Sequence, residues 1–168
     1  MFFRSMKVWI AATVLVVLVL AGTAIGAHVT SSTSFCLSCH EMRVHQQELA
    51  LSPHAQDARG NAIECVQCHI PSTNIVRMLS AKTWLGTKDL WVHATTGGSV
   101  TLNRREIQPE ARRFMDDANC RACHEDLYRN AKNDGAISEY GRLAHDNYLD
   151  KNGSSRSGCA GCHRNIAH

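Results

Sequence analysis

Four copies of the motif Cys-x-x-Cys-His account for all eight cysteines of this 168-residue chain. The cysteine pairs are Cys36/Cys39, Cys65/Cys68, Cys120/Cys123 and Cys159/Cys162, and the histidines that follow them are His40, His69, His124 and His163. This spacing is the pattern for covalent attachment of c-type heme, in which both thiols add to the porphyrin and the histidine can bind the iron. We therefore predict four covalently bound hemes c.

Two other uses of paired cysteines fit the pattern less well. An even number of cysteines in an exported chain is typical of a disulfide framework, and paired Cys-x-x-Cys units also bind zinc. Neither use requires a histidine after every second cysteine, and no cysteine is left over for a structural disulfide.

The composition predicts a fold that depends on the cofactor. Aromatic residues make up only 6% of the chain, so a small apolar core is expected from the side chains alone. We predict a mainly α-helical domain with much irregular structure, in which the hemes form the core. The formal net charge of +3 is offset by the heme propionates, and we expect no nucleic-acid binding.

An uncharged segment near the N-terminus predicts a membrane anchor. Residues 8–27 contain no charged side chain, and 20 helical residues span about 30 Å, the thickness of a bilayer core. The apolar run is longer than that of a signal peptide. Arg4 and Lys7 precede it, so the N-terminus should be cytoplasmic. We thus expect an anchor at 1–27 in a bacterial inner membrane and a periplasmic domain at 28–168.

Local signals predict several helices. Asn74 can cap a helix that begins at Ile75 and ends at Thr95-Thr96-Gly97-Gly98. The third motif should open a short helix through about Ala131, and a further helix is expected over 138–149. Residues 104–113 read as a solvated mixed-charge stretch, and 152–155 as a flexible link.

Trp84 and Trp91 lie seven residues apart and therefore share one face of the predicted helix that begins at Ile75. Tryptophan favours the membrane–water interface. This helix is expected to pack on heme, to lie on the bilayer, or to do both.

The motifs together resemble those of the NapC/NirT/NrfH-type tetraheme quinol dehydrogenases. The first motif reads CxxCHEM, the second is followed by proline in CVQCHIP, and the last reads CAGCHRNIAH. The resemblance covers nearly the whole chain. It implies four hemes in two close pairs, and oxidation of menaquinol or ubiquinol. The electrons would pass to a periplasmic multiheme or molybdenum enzyme, such as nitrite or nitrate reductase, in a hetero-oligomeric complex.

The resemblance also implies a set of iron ligands. Met42 would bind the first heme in place of His40, although the residues alone leave both open. The motif histidines His69, His124 and His163 would bind the other three hemes. On the opposite faces, the resemblance assigns His54 to the fourth heme, His168 to the third and His93 to the second. His145 or a side chain of the partner reductase are the alternatives to His93.

The same resemblance implies a quinol site beside the first heme. Asp89 would accept a proton, because a carboxylate close to a partly buried heme can have its pKa moved towards neutrality. Lys82 would orient the quinol oxygen. The alternative for these two residues is an ordinary helical ion pair. The alternative function is a membrane-tethered electron carrier without a quinol site, and the direction of electron flow stays open.

Overall fold

A computed structural model describes residues 2–98, 104–131, 134–150, 158–164 and 166–167. The helices are α1 (Phe2–Val29), α2 (Thr33–Cys36), a short 3-10 helix (His40–Met42), α3 (Arg43–Ala50), α4 (Cys65–His69), α5 (Ile75–Thr96), α6 (Arg104–Phe114), α7 (Asp117–Arg121), α8 (Glu139–Asp150) and α9 (Gly158–Cys162). The described segments contain two isolated β-bridges and no strand. The predicted mainly α-helical class is confirmed.

Helix α1 is apolar around its whole circumference. Its stretch Met6–Val29 has a mean hydropathy of 2.5, and none of the most apolar window is buried against the rest of the chain. A helix of this kind is stable when a bilayer surrounds it, since water would contact every apolar side chain. Within the described residues, it is the helix long and apolar enough to cross a membrane. It ends at Val29, two residues beyond the predicted boundary.

Helix α5 begins and ends where its sequence predicts. The Asn74 side chain accepts hydrogen bonds from the backbone N–H groups of Val76 at 2.8 Å and Arg77 at 3.2 Å. At the other end, Gly97 adopts the left-handed conformation with φ 61°, and its N–H donates to the carbonyl of His93. Both ends satisfy backbone groups that a helix otherwise leaves unpaired. Both predictions are confirmed.

The short helix predicted to run from the third motif through about Ala131 is not found, so that prediction is wrong. Helix α7 ends at Arg121 and does not include Cys123, the second cysteine of the motif. The Asp126 side chain then accepts a hydrogen bond from the N–H of Tyr128 at 2.8 Å, a local turn that competes with helix formation. Beyond it, the N–H of Asn130 donates to the carbonyl of Gly135 at 2.7 Å.

Two further predictions concern the second half of the chain. The helix expected over 138–149 is confirmed as α8. The mixed-charge stretch at 104–113 forms most of α6 (Arg104–Phe114), a helix with Pro109 inside it that was not predicted. The predicted link at 152–155 lies outside the described residues.

The described chain has very little apolar core. Its buried hydrophobic residues are Leu49, Ala81 and Ala160, and no large side chain is fully buried. So small a buried apolar area cannot offset the conformational entropy lost when a domain folds. The short helices must therefore be held by polar contacts and by the group that the cysteines bind.

Asn119 provides one of these polar contacts, and it is the buried polar residue among those described. Its Oδ1 accepts from the N–H and the hydroxyl of Ser72 at 3.3 and 2.9 Å. Its Nδ2 donates to the carbonyls of Cys68 at 3.4 Å and Ile70 at 2.8 Å. Asn119 thus ties the start of the third motif to the segment after the second.

We expect Asn119→Ala to lower the free energy of unfolding of the heme-loaded protein by roughly 1–3 kcal/mol, because it leaves buried polar groups of the 68–72 segment without partners. Thermal unfolding of the detergent-solubilised protein, followed by circular dichroism, measures this loss.

The matched control is Asn147→Ala, at an exposed position on α8. Equal Tm values for the two variants would contradict the role assigned to Asn119.

Candidate functional site

The four motifs lie on short helices that contact one another in chain order. Helix α2 contacts α4, α4 contacts α7, and α7 contacts α9, so each motif touches the next. The Thr33 hydroxyl accepts a hydrogen bond from the N–H of Cys65 at 3.1 Å, and the Asp117 carboxylate accepts one from the N–H of Cys159 at 2.8 Å. These bonds join the first motif to the second as one pair and the third motif to the fourth as another.

The donor set of these motifs fits heme c. All eight cysteines carry free thiols, and each pair keeps the spacing of the attachment motif. The near absence of a buried apolar core gives independent support, because a large planar group between the helices would supply the missing buried surface.

The eight attachment cysteines differ in their exposure. Cys39, Cys123 and Cys162, each the second cysteine of its motif, are exposed, whereas the other five are half-buried. Cys123 also lies outside the helix predicted for it, in the turn after α7, where its N–H donates to the carbonyl of Cys120 at 3.2 Å. Burial, followed by the thiols of Cys120 and Cys123, raises the pKa of Cys68. Cys123 is thus an exposed turn residue and not a helical one.

One group of possible metal ligands needs no separate explanation. Ligand atoms of Cys39, Glu41 and His93 lie within 4.8 Å of one another. The Cys39 sulfur belongs to the first motif and would be a thioether once heme is attached, so we assign this group to the first heme motif.

Two pairs of imidazoles have the separation expected of ligands to one iron. The ring centres of His54 and His124 are 6.0 Å apart, and those of His145 and His163 are also 6.0 Å apart. Metal–imidazole bonds are ~2 Å long, which puts two ring centres on opposite sides of one ion about 6 Å apart. Each pair joins one motif histidine to one histidine outside the motifs.

Backbone carbonyls fix the tautomers of both outer histidines. The Nδ1–H of His54 donates to the carbonyl of Ile166 at 3.2 Å, and that of His145 donates to the carbonyl of Leu127 at 2.6 Å. These bonds leave the Nε2 lone pair of each ring available. Metal-binding histidines commonly show this arrangement, in which the second nitrogen is held by a carbonyl.

The pairs differ from those that the resemblance implies. It assigns His54 to the fourth heme, whereas the structure places His54 beside His124 of the third motif. It leaves His145 as an alternative ligand of the second heme, whereas His145 lies beside His163 of the fourth. Burial, followed by the imidazoles of His54 and His163, lowers the pKa of His124. His168 lies outside the described residues.

In the first motif, the histidine makes a backbone contact. The Nε2–H of His40 donates to the carbonyl of Gly98 at 3.0 Å, so that nitrogen offers no lone pair to an iron. Gly98 is buried with φ +73°, and a Cβ atom there would lie 2.9 Å from the His40 ring. Met42 follows two residues later at the end of the 3-10 helix. The hydrogen bond from His40 to the loop after α5 thus keeps the His40 side chain from binding an iron.

His93 also lies at the first motif. Its Nδ1 hydrogen bonds to Oε1 of Glu41 at 3.0 Å, and its ring centre is 6.3 Å from that of His40. The Glu41 pKa is held below its ordinary value by its own backbone N–H and then by His93. His93, the predicted ligand of the second heme, therefore lies beside the first motif. The contacts that Glu41 and Gly98 make with the histidines there were not predicted from the sequence.

One face of α5 carries the predicted quinol residues. Lys82, Gly86, Asp89 and His93 follow one another at intervals of four, three and four residues, so they share a helical face. Asp89 is exposed, and a Cβ atom on Gly86 would meet no atom within 4 Å. The glycine, which sequence reasoning had passed over, leaves space on this face between Lys82 and Asp89.

Lys82 joins this face to the end of the apolar helix. Its Nζ donates to the carbonyl of Ala27 at 2.6 Å and to the hydroxyls of Thr30 at 3.1 Å and Ser31 at 2.6 Å. Burial lowers the pKa of Lys82. Lys82 therefore binds the C-terminal end of α1 and the residues just after it, a short distance in sequence before the first motif.

Known proteins with similar sequences are found by comparison with family profiles and with individual proteins. The profile of the NapC/NirT cytochrome c family, N-terminal region, matches residues 2–168. The chain is 30% identical over 149 residues to the tetraheme c-type cytochrome CymA of Shewanella oneidensis, covering 84% of this chain and 78% of CymA. It is 30% identical over 167 residues to the cytochrome c-type protein TorY of Haemophilus influenzae, covering 90% of this chain but only 43% of TorY.

A solved structure is also similar. In the crystal structure of the cytochrome c nitrite reductase NrfHA complex bound to the HQNO inhibitor, one chain matches with a TM-score of 0.48 and 26% identity. The match covers 94% of this chain and 87% of that chain.

We expect His145→Leu to convert one heme from low-spin to high-spin iron without changing the number of hemes per chain. The covalent attachment stays, whereas the imidazole beside His163 is lost. Electron paramagnetic resonance measures the spin state, and the pyridine hemochrome assay measures the heme content.

His45→Leu is the matched control, since His45 lies outside the motifs on α3 and near Glu48. The same spectral change in both variants, or no change in His145→Leu, would show that His145 is not an iron ligand.

Proposed function

Because the chain belongs to the NapC/NirT cytochrome c family, we propose that it is a membrane-anchored quinol dehydrogenase. It oxidises menaquinol or ubiquinol and passes the electrons through four c-type hemes to a periplasmic reductase, such as a nitrite or nitrate reductase. It lies in a bacterial inner membrane, with residues 1–27 as anchor and residues 28–168 in the periplasm.

The contact of Lys82 with the end of α1 is the observation that carries this proposal. Quinols are dissolved in the bilayer, and their head groups reach protein at the membrane surface. The carbonyl of Ala27 lies at the end of the apolar helix, and Lys82 binds it together with the hydroxyls of Thr30 and Ser31, which precede the first motif in the chain. A quinol head group that leaves the bilayer here meets Lys82, Asp89 and the first heme motif together.

Four hemes, when bound, supply one-electron redox centres. Their iron ligands in our proposal are Met42 for the first motif and His69, His124 and His163 for the others. His54 and His145 would act as the opposite ligands where the structure pairs them. We also propose, from the resemblance, that His93 binds the second heme and His168 the third. His93 has Glu41 as its hydrogen-bond partner.

Oxidation of a quinol releases two protons and two electrons, so the site needs a group that accepts protons. Asp89 is that group in our proposal, because it is exposed on the same face of α5 as Lys82. The Lys82 ammonium orients the quinol oxygen by exchanging the longest of its three hydrogen bonds, the one to Thr30 at 3.1 Å. Gly86 leaves space for the ring between the two residues.

The same protein without a quinol site would be a membrane-tethered electron carrier. The Lys82 contact with α1 alone is compatible with that function, since it also holds the anchor against the heme domain. The two functions differ in whether quinol reduces the hemes directly.

We expect Asp89→Asn to slow heme reduction by quinol by about 100-fold or more, the usual effect of removing a general base. The oxidised, detergent-purified protein is mixed anaerobically with a menaquinol analogue, and the heme α-band is followed in a stopped-flow instrument. Asp150→Asn, at an exposed position on α8, removes the same charge elsewhere and should match the wild type.

Fast reduction by both Asp89→Asn and the wild type would keep the quinol site and exclude Asp89 as its base. No reduction by quinol in any variant, with full reduction by dithionite, would exclude the dehydrogenase and leave the tethered carrier.

A further inference from the structure

The two pairs of motifs are joined by hydrogen bonds in the same register. Thr33 lies three residues before Cys36, and its hydroxyl accepts from the N–H of Cys65 at 3.1 Å. Asp117 lies three residues before Cys120, and its Oδ1 accepts from the N–H of Cys159 at 2.8 Å. In each pair, a side chain before the earlier motif binds the first amide of the later one.

The helices that carry these residues also contact each other in both pairs. Helix α2 contacts α4 in the first pair, and α7 contacts α9 in the second. The two halves of the heme domain therefore repeat one arrangement, although the first cysteines of the two motifs lie 29 positions apart in the first pair and 39 in the second. We propose that Thr33 and Asp117 are equivalent positioning residues, each of which sets the spacing of the two hemes in its pair.

The second pair is held more tightly than the first. The other carboxylate oxygen of Asp117 accepts from the hydroxyl of Tyr148 at 3.0 Å. Gly158 lies so close that a Cβ atom there would be 2.7 Å from Oδ1 of Asp117, and its φ of +53° also favours glycine. Asp117, Tyr148 and Gly158 thus fix the start of the fourth motif through contacts with the third.

The two pairs also differ in how a carboxylate enters the joint. Thr33 is neutral, and its own N–H donates at 2.7 Å to Oε2 of Glu64, the residue directly before Cys65. Asp117 carries its negative charge directly between the third and fourth motifs. A negative charge near an iron stabilises the oxidised state, so Asp117 lowers the potentials of both hemes in the second pair.

Asp117→Asn separates charge from geometry, because the amide keeps an oxygen for the Cys159 N–H and an amino group for Tyr148. We expect four hemes per chain and an unchanged Tm, with an upward shift in the midpoint potentials of two hemes. Spectroelectrochemical titration of the detergent-solubilised protein measures the potentials. Asp150→Asn, which removes the same charge from the exposed surface of α8, should leave all four potentials in place.

A pair of glycine variants tests the geometry. Gly158→Ala introduces backbone strain and also forces the Asp117 carboxylate away, whereas Gly60→Ala at φ +84° introduces strain with no atom within 4 Å. We expect Gly158→Ala to lose more thermal stability than Gly60→Ala and to alter the electron paramagnetic resonance signals of two hemes.

Unchanged potentials in Asp117→Asn, or equal behaviour of the two alanine variants, would overturn the proposal. The outcome is independent of the quinol site, since Asp89→Asn alters the rate of reduction and neither the potentials of the second pair nor the Tm.

Discussion

The near absence of an apolar core is the constraint on which the rest of this structure depends. Leu49, Ala81 and Ala160 are the buried hydrophobic residues of the described chain, far too few to hold nine α-helical segments together. Hydrogen bonds from side chains to the backbone hold the segments in position. Asn119 joins the second motif to the third, and Thr33 and Asp117 join the motifs within each pair. The cysteine-bound groups supply the remaining buried surface.

The first motif and the end of the anchor form a single unit. Helix α5 contacts the first motif through His93 and Glu41, and it contacts the end of α1 through Lys82. The loop after α5 returns to His40 through the carbonyl of Gly98. In the proposed function, electron entry and membrane attachment depend on the same helix, and each later motif contacts the one before it.

Local patterns in the sequence were sufficient for the parts of the fold that short-range physics controls. The motif cysteines, the apolar helix, the Asn74 cap and the Gly97 end of α5 each depend on residues within a few positions. The prediction of a helix through Cys123 and the residues after it was wrong. Its cause is also local, because the turn made by Asp126 was not recognised in the sequence. Helix α6 was not predicted, because its sequence is highly charged and contains Pro109.

The site could be predicted only in part, because its contacts join residues far apart in the chain. Lys82 meets Ala27 across 55 positions, and His93 meets Glu41 across 52. No periodicity encodes such pairs. Resemblance to a family proposed which histidines matter, whereas the neighbours of His54 and His145 became visible only in three dimensions. His168 was proposed in the same way and lies outside the described residues.

The bond between Lys82 and Ala27 has a practical consequence for work with soluble fragments. Cutting the chain ahead of residue 28 is the usual way to obtain a water-soluble cytochrome, and it removes the carbonyl that the ammonium binds at 2.6 Å. The hydroxyls of Thr30 and Ser31 would survive the cut but would lose the helix that positions them. Such a fragment keeps every heme motif, yet it lacks the contact that holds Lys82, so the proposed quinol site on α5 is altered. Inhibitors should therefore be screened against the full chain in lipid nanodiscs.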